Sequence, residues 1–297
     1  MYQPLVSVII PCYNCEKYVA QAVWSITNQT YTNVEILITD DCSTDGTYHL
    51  LESITETDAR IQLFHNDKNL NIVCTLNNMI EKAKGVYIAR MDADDISLPE
   101  RIERQVQFLE THPDYGICGC SAWHIDAKGK NIGVSMLPCT NYDIQLFKVF
   151  ASPFYHPTVM IRAGLLKKER YSSKALYAED YELWLRLLTN TKAINIYQKL
   201  FCYRIVQMSI SHNEKSRILQ REKTEELRNK EKYFDSFINM HNFHAKISSS
   251  VVIMKSKKTA DFINSPLYFS LLCICVGLFV LVHIKWRIIK YIRRHIR

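Results

Sequence analysis

Val86-Tyr87-Ile88-Ala89-Arg90-Met91-Asp92-Ala93-Asp94-Asp95 is the stretch on which the reading of the fold turns. Its first half is apolar and reads as a buried strand, and its second half puts three carboxylates within four residues. Side chains on an extended segment alternate faces, so Asp92 and Asp94 are expected on one side and Ala93 on the other. Two carboxylates on one face repel unless a proton or a cation lies between them. Mg²⁺ and Mn²⁺ prefer oxygen ligands and take few of them from protein when phosphate and water supply the rest. The strand end is therefore a metal–diphosphate site or a solvated acidic turn, and the remaining chain has to decide.

Outward from this stretch, strand and helix patterns alternate. Residues 5–10 are apolar and β-branched and end at Pro11, and Val19, Val23 and Ile26 then recur at helical spacing. Residues 34–39 form a second apolar run that stops at Asp40-Asp41, followed by turn residues Ser43 to Gly46 and the helical face of Leu50, Leu51 and Ile54. Residues 61–64 fit a third strand, and Ile72, Leu76, Ile80 and Ala83 a third helix, with Gly85 as its expected stop. After the acidic stretch, Ser97-Leu98-Pro99-Glu100 has the spacing of a capping box, leading into Ile102, Val106 and Leu109.

This alternation predicts a mostly parallel sheet with helices on both faces. Ligands in such sheets bind at the carboxyl ends of the strands. That rule gathers Pro11, Tyr13, Asp40, Asp41, Asp92 and Asp94 on one edge, although some eighty residues separate the first from the last.

Beyond residue 113 the pattern loosens. A long strand is expected over 115–125, a short helix over 144–150, a strand over 157–161 led by His156, and closing strands over 194–197 and 200–205. Glu179-Asp180 opens a helical run through Leu183, Trp184, Leu187 and Leu188, and a charged helix is expected from about 214 to 237.

The formal net charge of +7 is concentrated at the end of the chain. Lys285, Arg287, Lys290, Arg293, Arg294 and Arg297 supply six charges, which leaves +1 for everything else and argues against a nucleic-acid-binding body. The ten cysteines are scattered, and Cys12-x-x-Cys15 has no second pair at zinc-finger spacing, so they read as thiols of a reducing compartment. Residues 267–284 form an apolar run without a formal charge, near the lower limit for spanning a bilayer, and the basic, aromatic tail after it suits a membrane surface. A buried core helix is the alternative for the run. The expected organisation is an α/β domain over 1–212, a charged helix and linker over 213–265, an apolar membrane segment over 266–284 and a basic amphipathic tail over 285–297. Attachment is expected at the cytoplasmic face of the cell membrane, with the α/β domain in the cytoplasm.

Four motifs occur together in one order: 6–14, 35–47, 89–97 and 179–186. Together they resemble family 2 glycosyltransferases of the GT-A fold, a Rossmann-like α/β architecture, over roughly residues 4–212. The resemblance implies an inverting, metal-dependent enzyme that moves one sugar from a nucleotide-diphosphate sugar, UDP-linked by first choice, to a hydroxyl of a saccharide or lipid-linked acceptor. It implies that Pro11 and Tyr13 line the nucleotide pocket and that Asp41 accepts a hydrogen bond from a pyrimidine ring N–H. It implies Asp94 as direct ligand of Mn²⁺ or Mg²⁺, Asp92 near ribose or metal, and Asp180 as general base. Asp95 is expected to orient the loop and not to be a primary ligand. Cys42 and Asn71 depart from the resemblance, standing where such proteins commonly carry glycine. Asparagine tolerates a left-handed backbone, whereas cysteine leaves the turn's geometry open.

No Gln-x-x-Arg-Trp signature of processive synthases is present, which favours single additions. Two rival readings remain. A nucleotidyltransferase also uses carboxylate-bound metal, but its glycine- and lysine-rich loop is missing after the first strand. An inactive, membrane-attached assembly partner has no need of Asp92, Asp94 and Asp180 together. A dinucleotide-binding dehydrogenase is excluded, because no Gly-x-Gly-x-x-Gly follows any strand.

Overall fold

The first strand, β1 (Val6–Cys12), is buried along its whole length because both of its faces are covered. In the computed structural model, which describes residues 3–135, 137–148, 151–206 and 214–230, Val6, Val8 and Ile10 share one core with two helices. These are α1 (Val19–Thr27), through Val23 and Ile26, and α4 (Arg101–Thr111), through Ile102, Val106 and Leu109. Ile9 points the other way, into a second core. Leu76 and Ile80 of α3 (Asn71–Lys82), Leu166 of α6 (Ala163–Glu169) and Leu183, Trp184 and Leu187 of α7 (Glu179–Leu187) complete it. Each such buried aliphatic side chain contributes about 1.5–3 kcal/mol, so a strand apolar on both faces is stable only in this sandwiched position.

Four strands run parallel in the order β3-β2-β1-β4, with β2 spanning Val34–Asp40, β3 Ile61–His65 and β4 Tyr87–Arg90. The sense then reverses. β8 (Met160–Arg162) pairs antiparallel with both β4 and β6 (Tyr115–Ile125). β9 (Lys192–Arg204) runs parallel to β6, and β5 (Ile96–Ser97) closes the edge antiparallel to β9. β7 (Asn131–Val134) pairs only with β6. The connections include α2 (Thr47–Thr55), α5 (Asn141–Phe147) and a 3-10 turn over His156–Thr158. The expected mostly parallel α/β sheet with helices on both faces is thus present.

Several local expectations are corrected. Ser97 does not cap α4; it lies buried in β5, where its N–H donates to Ser25 Oγ (3.0 Å) and its hydroxyl accepts from Gln29 Nε2 (3.2 Å). α4 is capped from across the core instead, Gln29 Oε1 accepting the Ile102 N–H at 3.0 Å. Gly85 is not a left-handed helix stop but a point of close approach. A Cβ there would lie 2.6 Å from the Ser7 backbone nitrogen and 2.8 Å from the Leu5 carbonyl.

The short helix expected over 144–150 starts earlier, at Asn141, because Thr140 caps it by accepting the Asp143 N–H. The strand expected over 157–161 is a 3-10 turn followed by β8. The two closing strands are one, interrupted where the register against β6 jumps from Cys120↔Ile196 to Ser121↔Lys199 and leaves Tyr197 and Gln198 exposed. α8 (Glu214–Lys230) is the described part of the charged helix. The apolar segment 266–284 and the tail 285–297 lie outside the described residues; among those described, no helix is long and apolar enough to cross a membrane.

Candidate active site

Because β1 to β4 are parallel, their last residues share one edge, with Cys12 in register with Asp40 and Asp40 with His65. The loops that follow therefore carry Tyr13, Asp41 and the acidic stretch to the same place, as expected. Pro11 is buried in β1, while Tyr13, just past the strand, is 49% exposed. Two loops are zipped together beside it. Asn14 N–H donates to Ser43 Oγ (2.9 Å), Thr44 N–H to Asn14 Oδ1 (2.8 Å), Cys15 N–H to Thr47 Oγ1 (2.8 Å) and Gly46 N–H to Glu16 Oε2 (2.6 Å). Cys42, in the second loop, has φ +61°, and Asn71 has φ +68°, so both take up the left-handed conformation that glycine adopts freely.

Asp41 is buried. Its Oδ1 accepts from Asn66 Nδ2 (2.7 Å) and from the Leu70 N–H (2.9 Å), and its Oδ2 has no hydrogen-bond partner among the described residues. That leaves one fixed oxygen and one oxygen free to accept from a ligand.

The acidic stretch differs from its expected geometry. β4 ends at Arg90, and residues 92–95 form a turn in which Asp95 N–H approaches the Asp92 carbonyl (3.4 Å). Turning, not strand alternation, brings the carboxylates together. Asp92, Asp94 and Asp95 each present an oxygen within 4.8 Å of the others. Burial, with the Asp92 charge added, pushes the Asp94 carboxyl up to about 6. The Asp95 carboxyl is driven well above the carboxylate range by burial and then by Asp94 and Asp92. Such a cluster is costly while unpaired, and an all-oxygen donor set of this kind fits a hard divalent cation. Asp95 is the least available of the three: its Oδ1 accepts the Arg204 N–H at 2.7 Å and its Oδ2 is buried.

Asp180 lies in the first turn of α7. Burial raises its pKa above 3.8, opposed by the Tyr181 N–H and by the charge of Arg90. Its neighbour Glu179 is pushed up to about 7, by burial first and the Asp180 charge second, and its Oε2 is buried without a partner among the described residues.

Arg90 is the residue that sequence reasoning missed. Its guanidinium is buried and ion-paired with Asp92, and its positive charge acts on Asp94, Asp95, Glu179 and Asp180 alike. One side chain thus stands between the acidic turn and the acidic start of α7. Further polar groups adjoin Arg90. His156 Nε2 and Tyr171 Oη lie 2.6 Å apart, the His156 ring meets Trp184 edge-on, and burial together with Arg90 holds the imidazole neutral. Behind the turn, fully buried Arg101 donates from Nη2 to the Arg90 carbonyl (2.7 Å). The eight described cysteines are free thiols, Cys12 and Cys15 included.

The family model for glycosyl transferase family 2 matches residues 7–169, more than half of the chain, which takes in Tyr13, Asp41, Arg90 and the acidic turn but not the α7 acids. The chain belongs to family 2 of the glycosyltransferases. A putative glycosyltransferase, EpsE, of Bacillus subtilis is 37% identical over 206 residues, 68% of this transferase and 73% of the relative. The Escherichia coli enzyme WfaP, named as a UDP-Glc:alpha-D-GlcNAc-diphosphoundecaprenol beta-1,3-glucosyltransferase, is 32% identical over 217 residues, 71% of this chain and 81% of that one. Among solved structures, S. aureus TarS 1-349 in complex with UDP-GlcNAc superposes with a TM-score of 0.58 at 22% identity. That match covers 69% of the transferase but only 59% of the TarS chain. The Pyrobaculum calidifontis mannosyltransferase PcManGT, in complex with GDP-Man and Mn²⁺, superposes with a TM-score of 0.61 at 16% identity, covering 94% of this chain and 81% of that one. These likenesses fix the fold as GT-A.

Proposed function

We propose that the transferase moves one sugar from a nucleotide-diphosphate sugar to a hydroxyl of a saccharide or lipid-linked saccharide, with inversion, in bacterial cell-surface polysaccharide synthesis. The observation that carries this reading is the meeting of two acidic groups, Asp92/Asp94 and Asp180, around buried Arg90 at the edge where Tyr13 and Asp41 also lie. Pro11 and Tyr13 form the wall against the nucleotide, and the free Asp41 Oδ2 accepts from the base. A UDP-linked donor is the first choice, supported by the printed names of WfaP and of the TarS complex, whereas PcManGT was solved with GDP-Man.

Asp92 and Asp94 would hold Mn²⁺ or Mg²⁺, which when bound supplies positive charge against the diphosphate. Asp180 accepts the proton of the acceptor hydroxyl as that oxygen bonds to the anomeric carbon from the face opposite the diphosphate. The carbon–oxygen bond to phosphate breaks, its electron pair leaves with the diphosphate oxygen, and the configuration inverts. A carboxylate whose pKa is raised by burial is a stronger base than an exposed one, and such a base contributes about 10²–10⁴-fold. The Tyr181 N–H and the charge of Arg90 oppose that rise and favour the ionised form.

Asp180→Asn tests the assignment. Binding of UDP with Mn²⁺, followed by calorimetry, is expected to persist while transfer falls by at least about 10²-fold. Retained turnover in a folded Asp180→Asn protein removes Asp180 from the mechanism. Residues 266–297 are proposed to attach the catalytic domain, 1–212, to the cytoplasmic face of the membrane. Their deletion is expected to move the protein from the membrane to the soluble fraction, and a full-length protein found soluble refutes attachment.

A further inference from the structure

We infer that Arg204 is a positioning residue for the cation-binding turn, acting on it from the end of β9 that lies beside β5. The inference rests on the reading of Asp92 and Asp94 as metal ligands. Arg204 is the last residue of β9, 110 residues from Asp94, and its side chain is buried. Each of its three guanidinium nitrogens donates one hydrogen bond. Nε donates to the Asp94 carbonyl (2.6 Å), Nη1 to the Asp126 carbonyl at the end of β6 (3.1 Å) and Nη2 to Gln21 Oε1 on α1 (2.8 Å). The guanidinium carbon also lies 4.5 Å from the centre of the Tyr18 ring, at the start of α1. Its own backbone N–H binds Asp95 Oδ1.

These contacts choose particular atoms of the turn. Arg204 takes the Asp94 main chain and the Asp95 side chain, while Arg90 takes Asp92 from the opposite end. No side chain among the described residues hydrogen-bonds the Asp94 carboxylate. The two arginines therefore fix a turn of three mutually repelling acids and leave the inferred ligand open. A planar fork holding three acceptors at once is something lysine's single nitrogen does not reproduce. Without it, the turn relaxes against carboxylate repulsion, and closing it again is charged to cation binding. Gln21 and Tyr18 belong to the helix that follows the nucleotide-lining loop, so the same side chain ties the donor wall to the turn.

The test titrates Mn²⁺ into full-length protein, with bound ion read by electron paramagnetic resonance, without and with UDP. Arg204→Met is expected to weaken Mn²⁺ binding about tenfold or more, the scale of one to two lost hydrogen bonds. Arg204→Lys is expected to fall between Met and wild type, and serves alone if Arg204→Met does not fold. UDP binding without metal is expected to change less than the Mn²⁺ affinity. Wild-type protein that binds no Mn²⁺ in either condition refutes the metal reading itself. Wild-type binding that Asp94→Asn abolishes, and that folded Arg204→Lys and Arg204→Met leave unchanged, overturns the role of Arg204 alone.

Discussion

Glu179→Gln is expected to stabilise the folded protein at alkaline pH and to leave it unchanged at acid pH. The carboxyl rises from 4.5 in the unfolded chain to about 7 in the fold, chiefly by burial. A folded pKa above the unfolded one means that the folded state holds the proton more tightly. The stability this gives is fully present below pH 4.5 and is lost as pH rises through 7. The interval from 4.5 to about 7 is worth about 3 kcal/mol as an upper bound. Relaxation and solvent at the mouth of the site reduce this to about 1–2 kcal/mol. Glutamine copies the neutral acid in shape and never ionises. Urea unfolding of both proteins in EDTA at pH 4.5 and pH 8 measures the difference. Coincident curves at pH 4.5 with a gain of about 1–2 kcal/mol at pH 8 agree with the linkage argument. An equal difference at both values, or a loss at pH 8, refutes it.

Other outcomes follow from single positions. Gly85→Ala puts a Cβ 2.6–2.8 Å from Ser7 N, Ser7 Oγ and the Leu5 carbonyl, so chemical denaturation is expected to show a loss of about 1–3 kcal/mol, and a loss below 0.5 contradicts the close approach. Cys42→Gly relieves a left-handed cysteine at a cost of about 1–2 kcal/mol and adds glycine's entropy of about 0.5–1, for a net gain of about 0.5 kcal/mol in melting experiments. Because burial raises Asp180, the acidic limb of kcat/KM against pH is expected above the ordinary aspartate value, with activity present above that pKa and lost below it. A limb at or below pH 3.8 rules out a buried base.

The donor half of the molecule was legible because parallel strands buried on both faces are apolar throughout. Runs such as residues 34–39 announce themselves without any partner being known. The co-location of Tyr13, Asp41 and Asp92 followed from topology alone. What could not be read depends on partners distant in the chain. Arg90 looks like one more charge among acids until its burial beside Asp92 and α7 is seen. Arg204 meets Asp94 only once β9 has paired with β5, and Ser97 carried a capping signature that lost to the same pairing. The bulge at Tyr197 and Gln198 broke a two-residue period, so one strand read as two. The acidic stretch itself was recognised for its composition, but the turn that gathers its oxygens begins one residue after the strand pattern ends.

The antiparallel insertion of β8 between β4 and β6 has an architectural consequence. On the donor side every strand delivers the loop that follows it to the working edge. At β8 the sense is opposite, so the edge receives the segment that precedes the strand, the turn carrying Tyr155 and His156. The chain between β6 and that turn can therefore lengthen or be rebuilt without disturbing the register of β1 to β4. Loop closure charges only about 0.6 kcal/mol for each doubling of length. The sheet behaves as a fixed socket joined to an exchangeable fitting, with the seam running along β8.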